Sequence, residues 1–369
     1  MSSSVPFLDL VRQHRSIRKE IKEAVSGVLE SQRFVLGENG RALEKAVAKY
    51  SGTKFAVGLA SGSDALYLAL WAMGVGPGDE VITTPFTFFA TASAISRLGA
   101  KPVFADIDAK TFNLDPSQIC SKITSRSKAI VPVHLFGLCC DMDGILGAAK
   151  KHGLSVVEDA AQAFGAEYRG RRAGSMGDIG CFSFYPTKNL GAAGDGGMLV
   201  TSSAQRDQKV RLKRDHGSKI KYHHELIGIN SRLDELQAAM LRVKLKYVGK
   251  WNAKRQRIAA RYNEAFKNLP LQIPFTPDGY QHAWHLYSVL SPKREALSRF
   301  LEIKGIGAAV YYPLPLHLQP CYRSLGYHAG DFPVSERVVR EILALPMFPE
   351  LSGAEQDRVI AAIRMFFKR

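Results

Sequence analysis

The chain has 369 residues, 46% of them apolar, enough for a sizeable core and for two domains or one large domain with an appendage. Lys and Arg outnumber Asp and Glu by 50 to 34, a formal charge of +16, so composition favours anionic partners: nucleic acid, an anionic membrane or phosphorylated small molecules. No run of about twenty apolar residues occurs and the start MSSSVPFLDLVRQ has no signal-peptide core, so a membrane-spanning helix and secretion are not expected and the cytoplasm is.

In chain order, Ile17, Ile21, Val25 and Val28 recur at helical spacing among charged residues, which predicts an amphipathic helix over 9–31. A second helix is expected after Asn39. From residue 54 the pattern changes to short apolar runs separated by helical stretches: KFAVGLA, EVITT, KPVFADI, KAIVPVHLF, LSVVEDA, GCFSFYP and GMLVTS. That alternation predicts an α/β three-layer sandwich with a mostly parallel sheet. The stretch 231–266, which begins SRLDELQAAML, has few breakers and predicts one long helix or two nearly continuous ones serving as a connector. Beyond it, HLYSVLSP, a helix near 293–304, GAAVYYPLP and two further helices predict a smaller α+β domain. The expected boundary lies inside the long helix, giving a large domain 1–245 and a small C-terminal domain 246–369. No internal repeat or low-complexity segment breaks the pattern.

The chemistry gathers at strand ends. In CFSFYPTKNLGAAGDGGMLVTS, residues 181–202, Lys188 precedes Gly191, Gly194, Gly196 and Gly197, which allows a phosphate loop, a solvated turn or a nucleophilic amine. A Walker loop has its lysine after the glycines and a helix next. Here the order is reversed and the glycines run into a strand, so nucleotide hydrolysis loses its support. Strand alternation puts Cys181, Ser183 and Tyr185 on one face and Phe182 and Phe184 on the other. In LASGSDALYLALWAM, Ser61, Gly62 and Ser63 join a strand to a helix whose first amides and dipole can hold a phosphate, the glycine allowing close approach. The plainer alternative is a turn capped by Asp64.

In VVEDAAQAFGA a strand ends at Glu158 or Asp159, on the edge where open α/β sheets bind ligands. Asp159 and Gln162 are three apart and can address neighbouring atoms of one flat ligand, or simply cap a turn and face solvent. Phe88, in TTPFTFFATASAI, can stack on a ring or sit in the core. One cofactor asks for this set. Pyridoxal 5′-phosphate needs an amine (Lys188), an acid at its ring nitrogen (Asp159) and phosphate donors (Gly62, Ser63 and Ser183).

The stretches SGSDALYLAL, TTPFTFFATASAI, GAKPVFADID, KAIVPVHLFG, VVEDAAQAFGA, GCFSFYPTKNLGAAGDGGMLVT, RDHG, GINSRLDELQAAML and YYPLPLHLQP carry a resemblance over essentially the full length. The chain resembles the DegT-type sugar-nucleotide aminotransferases, members of the aspartate aminotransferase superfamily of fold-type I. The resemblance implies that Lys188 carries the cofactor, that Asp159 meets its pyridine nitrogen and that Gln162 reaches its phenolic oxygen. It implies that Gly62, Ser63 and Ser183 hold the phosphate, joined by Asn230 of a neighbouring subunit, with Phe88 in the stacking position. It further implies a homodimer with shared active sites.

The reaction implied is transamination. An amino acid, usually L-glutamate, converts the cofactor to pyridoxamine 5′-phosphate, which aminates a keto-sugar attached to a nucleoside diphosphate. Family members with histidine in place of the lysine act as dehydratases, and this chain keeps Lys188. Arg232, Tyr311, Tyr312 and His317 stand where relatives contact the nucleotide sugar, and NSRLDELQAA resembles enzymes aminating at C3 more than those acting at C4.

The remaining features point elsewhere only weakly. Part of the +16 charge would draw an anionic diphosphate toward the cleft, while most of it reads as solvated lysine on outer helices. The pairs His282/His285 and His223/His224 lack carboxylate or cysteine partners, so no metal is expected. The five cysteines include no C-x-x-C pair and read as reduced and mostly buried. Amination at C4, a cyclising aromatic-amine synthase, and a regulatory or DNA-binding protein that holds the same cofactor are the competing readings. No helix-turn-helix, zinc-finger spacing or basic arm is visible, so nucleic acid is not an expected partner.

Overall fold

The computed structural model describes residues 4–368. The seven apolar runs become seven strands: β1 (Phe55–Leu59), β2 (Glu80–Thr83), β3 (Lys101–Phe104), β4 (Ser127–Ile130), β5 (Ser155–Asp159), β6 (Ile179–Ser183) and β7 (Gly197–Thr201). They form one sheet in the order β1-β7-β6-β5-β4-β2-β3. Strand β7 runs antiparallel to both neighbours, β1 and β6, and every other pairing is parallel. The ends of β1, β2, β4, β5 and β6 and the beginning of β7 therefore share one edge of the sheet.

Alternation along the strands builds two cores. Ala56, Ile82, Ile130, Val156, Phe182 and Val200 face one of them, packed with Leu43 and Val47. Their chain neighbours Val57, Val81, Ala129, Val157, Cys181 and Leu199 face the other, packed with Leu66 and Leu70. Both sheet faces are covered, which is why the strands read as continuous apolar runs rather than as an alternation of apolar and polar. The result is the three-layer α/β sandwich expected from the sequence.

The first helix, α1 (Leu10–Ser31), begins where the Asp9 side chain accepts from Arg12 N at 3.1 Å, and it buries Ile17, Ile21 and Val28. Helix α2 (Glu38–Ser51) starts two residues before the expected position, because a distant carboxylate caps it. Glu235 accepts from the amides of Gly37, Asn39 and Gly40 at 2.7–2.9 Å. The stretch 231–266 resolves into two helices, Glu235–Leu245 and Val248–Phe266. The second begins with Val248 in the core of the large sheet and carries Ile258, Ala259, Tyr262 and Phe266 into a separate core. There it meets β8 (Tyr287–Leu290) and β9 (Ile342–Leu345), an antiparallel pair, with helices Arg294–Ile303 and Gly353–Phe367. The chain start returns to this same core, since Val5 pairs in parallel with Ile306.

At the end of β5 one residue faces inward and the next faces the sheet edge. Glu158 is fully buried, and its carboxylate accepts from the amides of Gly174, Met176 and Gly177 at 2.5–2.7 Å. His134 Nδ1 accepts from Cys140 N, so the ring proton sits on Nε2 and donates to Glu158 at 2.8 Å. This buried network fixes the turn on which Asp159 stands. Replacing Glu158 with Ala strands three amides without an acceptor, and a loss of about 3 kcal/mol or more in urea denaturation is expected, with a smaller loss for Glu158→Gln. A change under about 1 kcal/mol for the alanine variant would count against this role.

Candidate active site

The shared sheet edge opens into a cleft of about 820 Å³. Gly62, Ser63, Phe88, Asp159, Gln162, Ser183, Lys188, Tyr311 and Tyr312 all line it. They come from four strand ends and from the loop between β8 and β9, and they are separated by up to 250 positions in the chain (312 − 62).

Helix α3 (Gly62–Ala72) points its N-terminus into this cleft. Its cap is Ser61, whose hydroxyl accepts from Asp64 N at 3.1 Å, and Asp64 does not cap the turn as the simpler reading had it. Asp64 instead accepts from Ser231 Oγ at 2.8 Å and faces Arg97 at 3.5 Å. Ala65 N is bound to Ser61 O, which leaves the amides of Gly62 and Ser63 without an acceptor among the described residues. Two free N–H groups at the positive end of an eleven-residue helix make an anion site. A methyl on Gly62 would lie 2.6 Å from Ser183 Cβ, so glycine is what lets the helix end approach β6.

The glycines after Lys188 serve clearance rather than turning. None of Gly191, Gly194, Gly196 and Gly197 has a positive φ. A side chain at Gly197 would meet Ser61 O at 2.2 Å and one at Gly191 would meet Pro186 O at 2.3 Å. These are strand-to-loop contacts too close for a Cβ.

Asp159 is buried, with Oδ2 accepting from Thr91 Oγ1 at 2.7 Å and Oδ1 from Ala161 N at 3.2 Å. Burial pushes its carboxyl above the ordinary range, opposed by those hydrogen bonds and by the charge of Lys188. The Lys188 amine shows the converse. Burial lowers it to about 8, and only the charge of Asp159 works against that shift. Gln162 Oε1 accepts from Phe136 N at 2.8 Å, so its Nε2 is turned outward and donates to Tyr312 OH at 2.8 Å. Gln162 and Tyr312 thus present donors together. Phe88 is 56% exposed at the mouth, its ring 6.2 Å from that of Tyr312.

Three expected residues do not join this cleft. His317 is buried against Phe332, with Nε2 at 3.2 Å from Glu336, so it packs the fold instead of facing the cleft of its own subunit. Arg232 pairs with Asp215 at 2.8 Å, and Asn230 is exposed on a strand-like bridge to that same residue. Thr91, Arg255 and His285 do belong to the site or its support, and sequence reasoning missed them. Thr91 carried one faint signal, its place one helical turn after Thr87, to which it bonds at 3.2 Å. The H-x-x-H pair splits: His282 stacks on Trp284 and accepts from its amide, while His285 lines the cleft.

The description DegT/DnrJ/EryC1/StrS aminotransferase family matches residues 15–364. The chain belongs to this family. It is 50% identical over 368 residues, 99% of either chain, to a pleiotropic regulatory protein of Geobacillus stearothermophilus. It is 47% identical, over 98% of both chains, to a UDP-N-acetyl-3-dehydro-alpha-D-glucosamine 3-aminotransferase of Acidithiobacillus ferrooxidans. Among solved structures, DesV of S. venezuelae in complex with a ketimine intermediate superposes with a TM-score of 0.98 at 43% identity, covering 100% of both chains. The protein is a pyridoxal-phosphate-dependent transaminase of the sugar aminotransferase kind. The residues present fit that cofactor: a helix end with two unused amides, a buried carboxylate within electrostatic reach of Lys188, and an amine with lowered basicity share one cleft.

A direct consequence concerns pH. Only the neutral amine attacks a carbonyl, so with Lys188 at about 8 its reactive fraction is roughly 10% at pH 7 and 90% at pH 9. In protein stripped of cofactor, reductive methylation of Lys188 followed by peptide mass analysis should speed up about tenfold over that interval and then level off. Exposed lysines should keep accelerating to near pH 10.4. A Lys188 profile that matches theirs would count against the depressed basicity.

Proposed function

We propose that the protein transfers the amino group of L-glutamate to a nucleotide-linked keto-sugar at C3 of the hexose, as a cytoplasmic homodimer with shared active sites. The observation that carries this reading is the opposition of a low-basicity Lys188 and a buried Asp159 beside the open N-terminus of α3. The amination at C3 is supported by the Acidithiobacillus relative, whose name specifies a 3-dehydro sugar and a 3-aminotransferase.

Pyridoxal 5′-phosphate, when bound, supplies an aldehyde carbon for amine exchange and a ring that withdraws electrons from the adjacent carbon. Lys188 would hold it through Nζ, and the same amine, when free and neutral, would take the proton from the carbon bearing the donor's amino group and give one to the carbon that receives it. Asp159 keeps the ring nitrogen protonated, and Thr91 and the Ala161 amide hold the carboxylate in place. Gly62, Ser63 and Ser183 hold the phosphate, completed by Asn230 of the neighbouring subunit. Gln162, aligned by Phe136 N, donates to the phenolic oxygen, and Phe88 covers the ring.

Tyr311 and Tyr312 contact the sugar, and Arg232 contacts the nucleotide sugar from the subunit boundary. His317 has no such part within its own subunit, being buried on Glu336. The division of labour follows the chain division proposed above, with 1–245 supplying the cofactor residues and 246–369 the tyrosines.

The two half-reactions balance. Glutamate loses its amine and leaves as 2-oxoglutarate, and the keto-sugar takes up that nitrogen and leaves as an amino sugar. Lys188→Ala is expected to abolish turnover, by at least about 10⁴-fold, and to prevent borohydride trapping at residue 188, while cofactor still binds through its phosphate. Asp159→Asn should lower kcat by roughly 10²-fold or more without a matching loss of folded protein. Near-normal rates in either variant would reject the assigned role.

The substrate assignment is read from a panel of nucleotide keto-sugars with glutamate, the amino position being determined by NMR; product aminated at C4 would refute the C3 assignment. One relative is named a regulatory protein, so the same experiment also serves a second reading. A regulator without transaminase chemistry would hold a yellow cofactor that glutamate does not bleach.

A further inference from the structure

The cleft contains a buried cation that the reading above does not use. Arg255 projects from helix Val248–Phe266, is 3% exposed, and lines the same cleft as Lys188. Buried guanidinium groups are normally matched by a carboxylate. Arg255 instead donates through Nη1 alone to three carbonyls, those of Trp284 at 3.1 Å, His285 at 3.3 Å and Met347 at 2.8 Å. Its Nε has no partner, and Nη2 makes no hydrogen bond among the described residues. Glu350 lies within electrostatic reach but forms no ion pair with it among the described residues.

Beside it stands a second unsatisfied group. His285 is buried, lines the cleft, and its Nδ1 has no partner. Burial and the charges of Lys188 and Arg255 hold its imidazole neutral. A neutral ring and a fork of unused N–H donors form a pocket for a small planar anion, since a carboxylate accepts two parallel bonds from guanidinium. Leu286 and Met347 add apolar surface to the same cleft.

We propose that Arg255, assisted by His285, binds the α-carboxylate of the amino-acid donor. The proposal rests on the transaminase reading and adds the residue that recognises the donor. The α-carboxylate is one bond from the carbon whose amine is exchanged, so its acceptor has to lie near Lys188. His285 meets that condition, since the charge of Lys188 reaches it. Placing the donor's carboxylate here leaves the α3 end to the cofactor's phosphate and the exposed mouth, with Phe88 and Tyr185, to the nucleotide sugar.

The test compares holoenzyme carrying Arg255→Met or Arg255→Lys with the parent protein. Stopped-flow absorbance follows the reaction of the yellow form with L-glutamate and, separately, its adduct formation with propylamine, which has no carboxylate. Arg255→Met should slow the glutamate reaction at low concentration by at least about 100-fold and leave propylamine within about threefold of the parent. Arg255→Lys should fall between, because a point charge replaces the fork. Should the methionine variant not fold, the lysine variant carries the comparison, with a loss of about tenfold expected for glutamate alone.

Calorimetry with glutarate, an unreactive dicarboxylate, supplies a readout free of chemistry. Binding to the parent holoenzyme and its loss in the variants are expected, whether or not any keto-sugar is aminated. Equal losses for glutamate and propylamine would make Arg255 a purely structural residue. No selective loss for glutamate, or no glutarate binding by the parent, would overturn the proposal.

Discussion

The site depends on two opposite charges held where water is scarce. Lys188 and Asp159 reach the same sheet edge from β6 and β5, and burial penalises both. Each charge stabilises the other, which keeps the carboxylate available for a cationic ring and leaves the amine basic enough to accept a proton yet often neutral near pH 8. Exposed, the same pair would be a lysine at about 10.4 and an aspartate at about 3.9, with neither adapted to amine exchange. The surrounding fold supplies the burial. Two apolar cores close both faces of the sheet, and the buried Glu158 network fixes the turn next to Asp159.

Close approach is the second constraint. The antiparallel β7 brings its first residues to the edge where the parallel strands end, and only glycine fits between it and Ser61. Gly62 likewise lets α3 meet Ser183. These contacts place the helix N-terminus beside the lysine loop, which joins an anion site to a nucleophile in one cleft. The reversal of one strand therefore has a functional result that a wholly parallel sheet would not give.

The family's fold does not choose among its reactions. Relatives that match over nearly the whole chain are named as a regulatory protein and as a sugar aminotransferase. What separates such outcomes is the set of side chains in the cleft: the amine at 188, the acid at 159 and the groups that receive donor and acceptor. Arg255 and His285 fall into the last class because they are buried, polar and short of partners, a state that a ligand relieves.

The sequence by itself determined the seven strands, the first helix and the pairing of Lys188 with Asp159, Gln162 and the Gly62–Ser63 turn. Local signals suffice there: apolar period sets the strands, and the turns follow strand ends whose place in an open sheet is fixed by topology. The tertiary structure alone decided which polar residues are buried and by what. His317 reads like a site residue in YYPLPLHLQP but is enclosed by Phe332 and Glu336, contributed by a later helix and its approach. Thr91, Arg255 and His285 read as ordinary positions, and each gains its meaning from partners 68, 92 or 30 residues away, such as Asp159, Met347 and the Arg255–His285 carbonyl contact. Burial, clearance and electrostatic reach are properties of three-dimensional neighbours, and no window of sequence contains them.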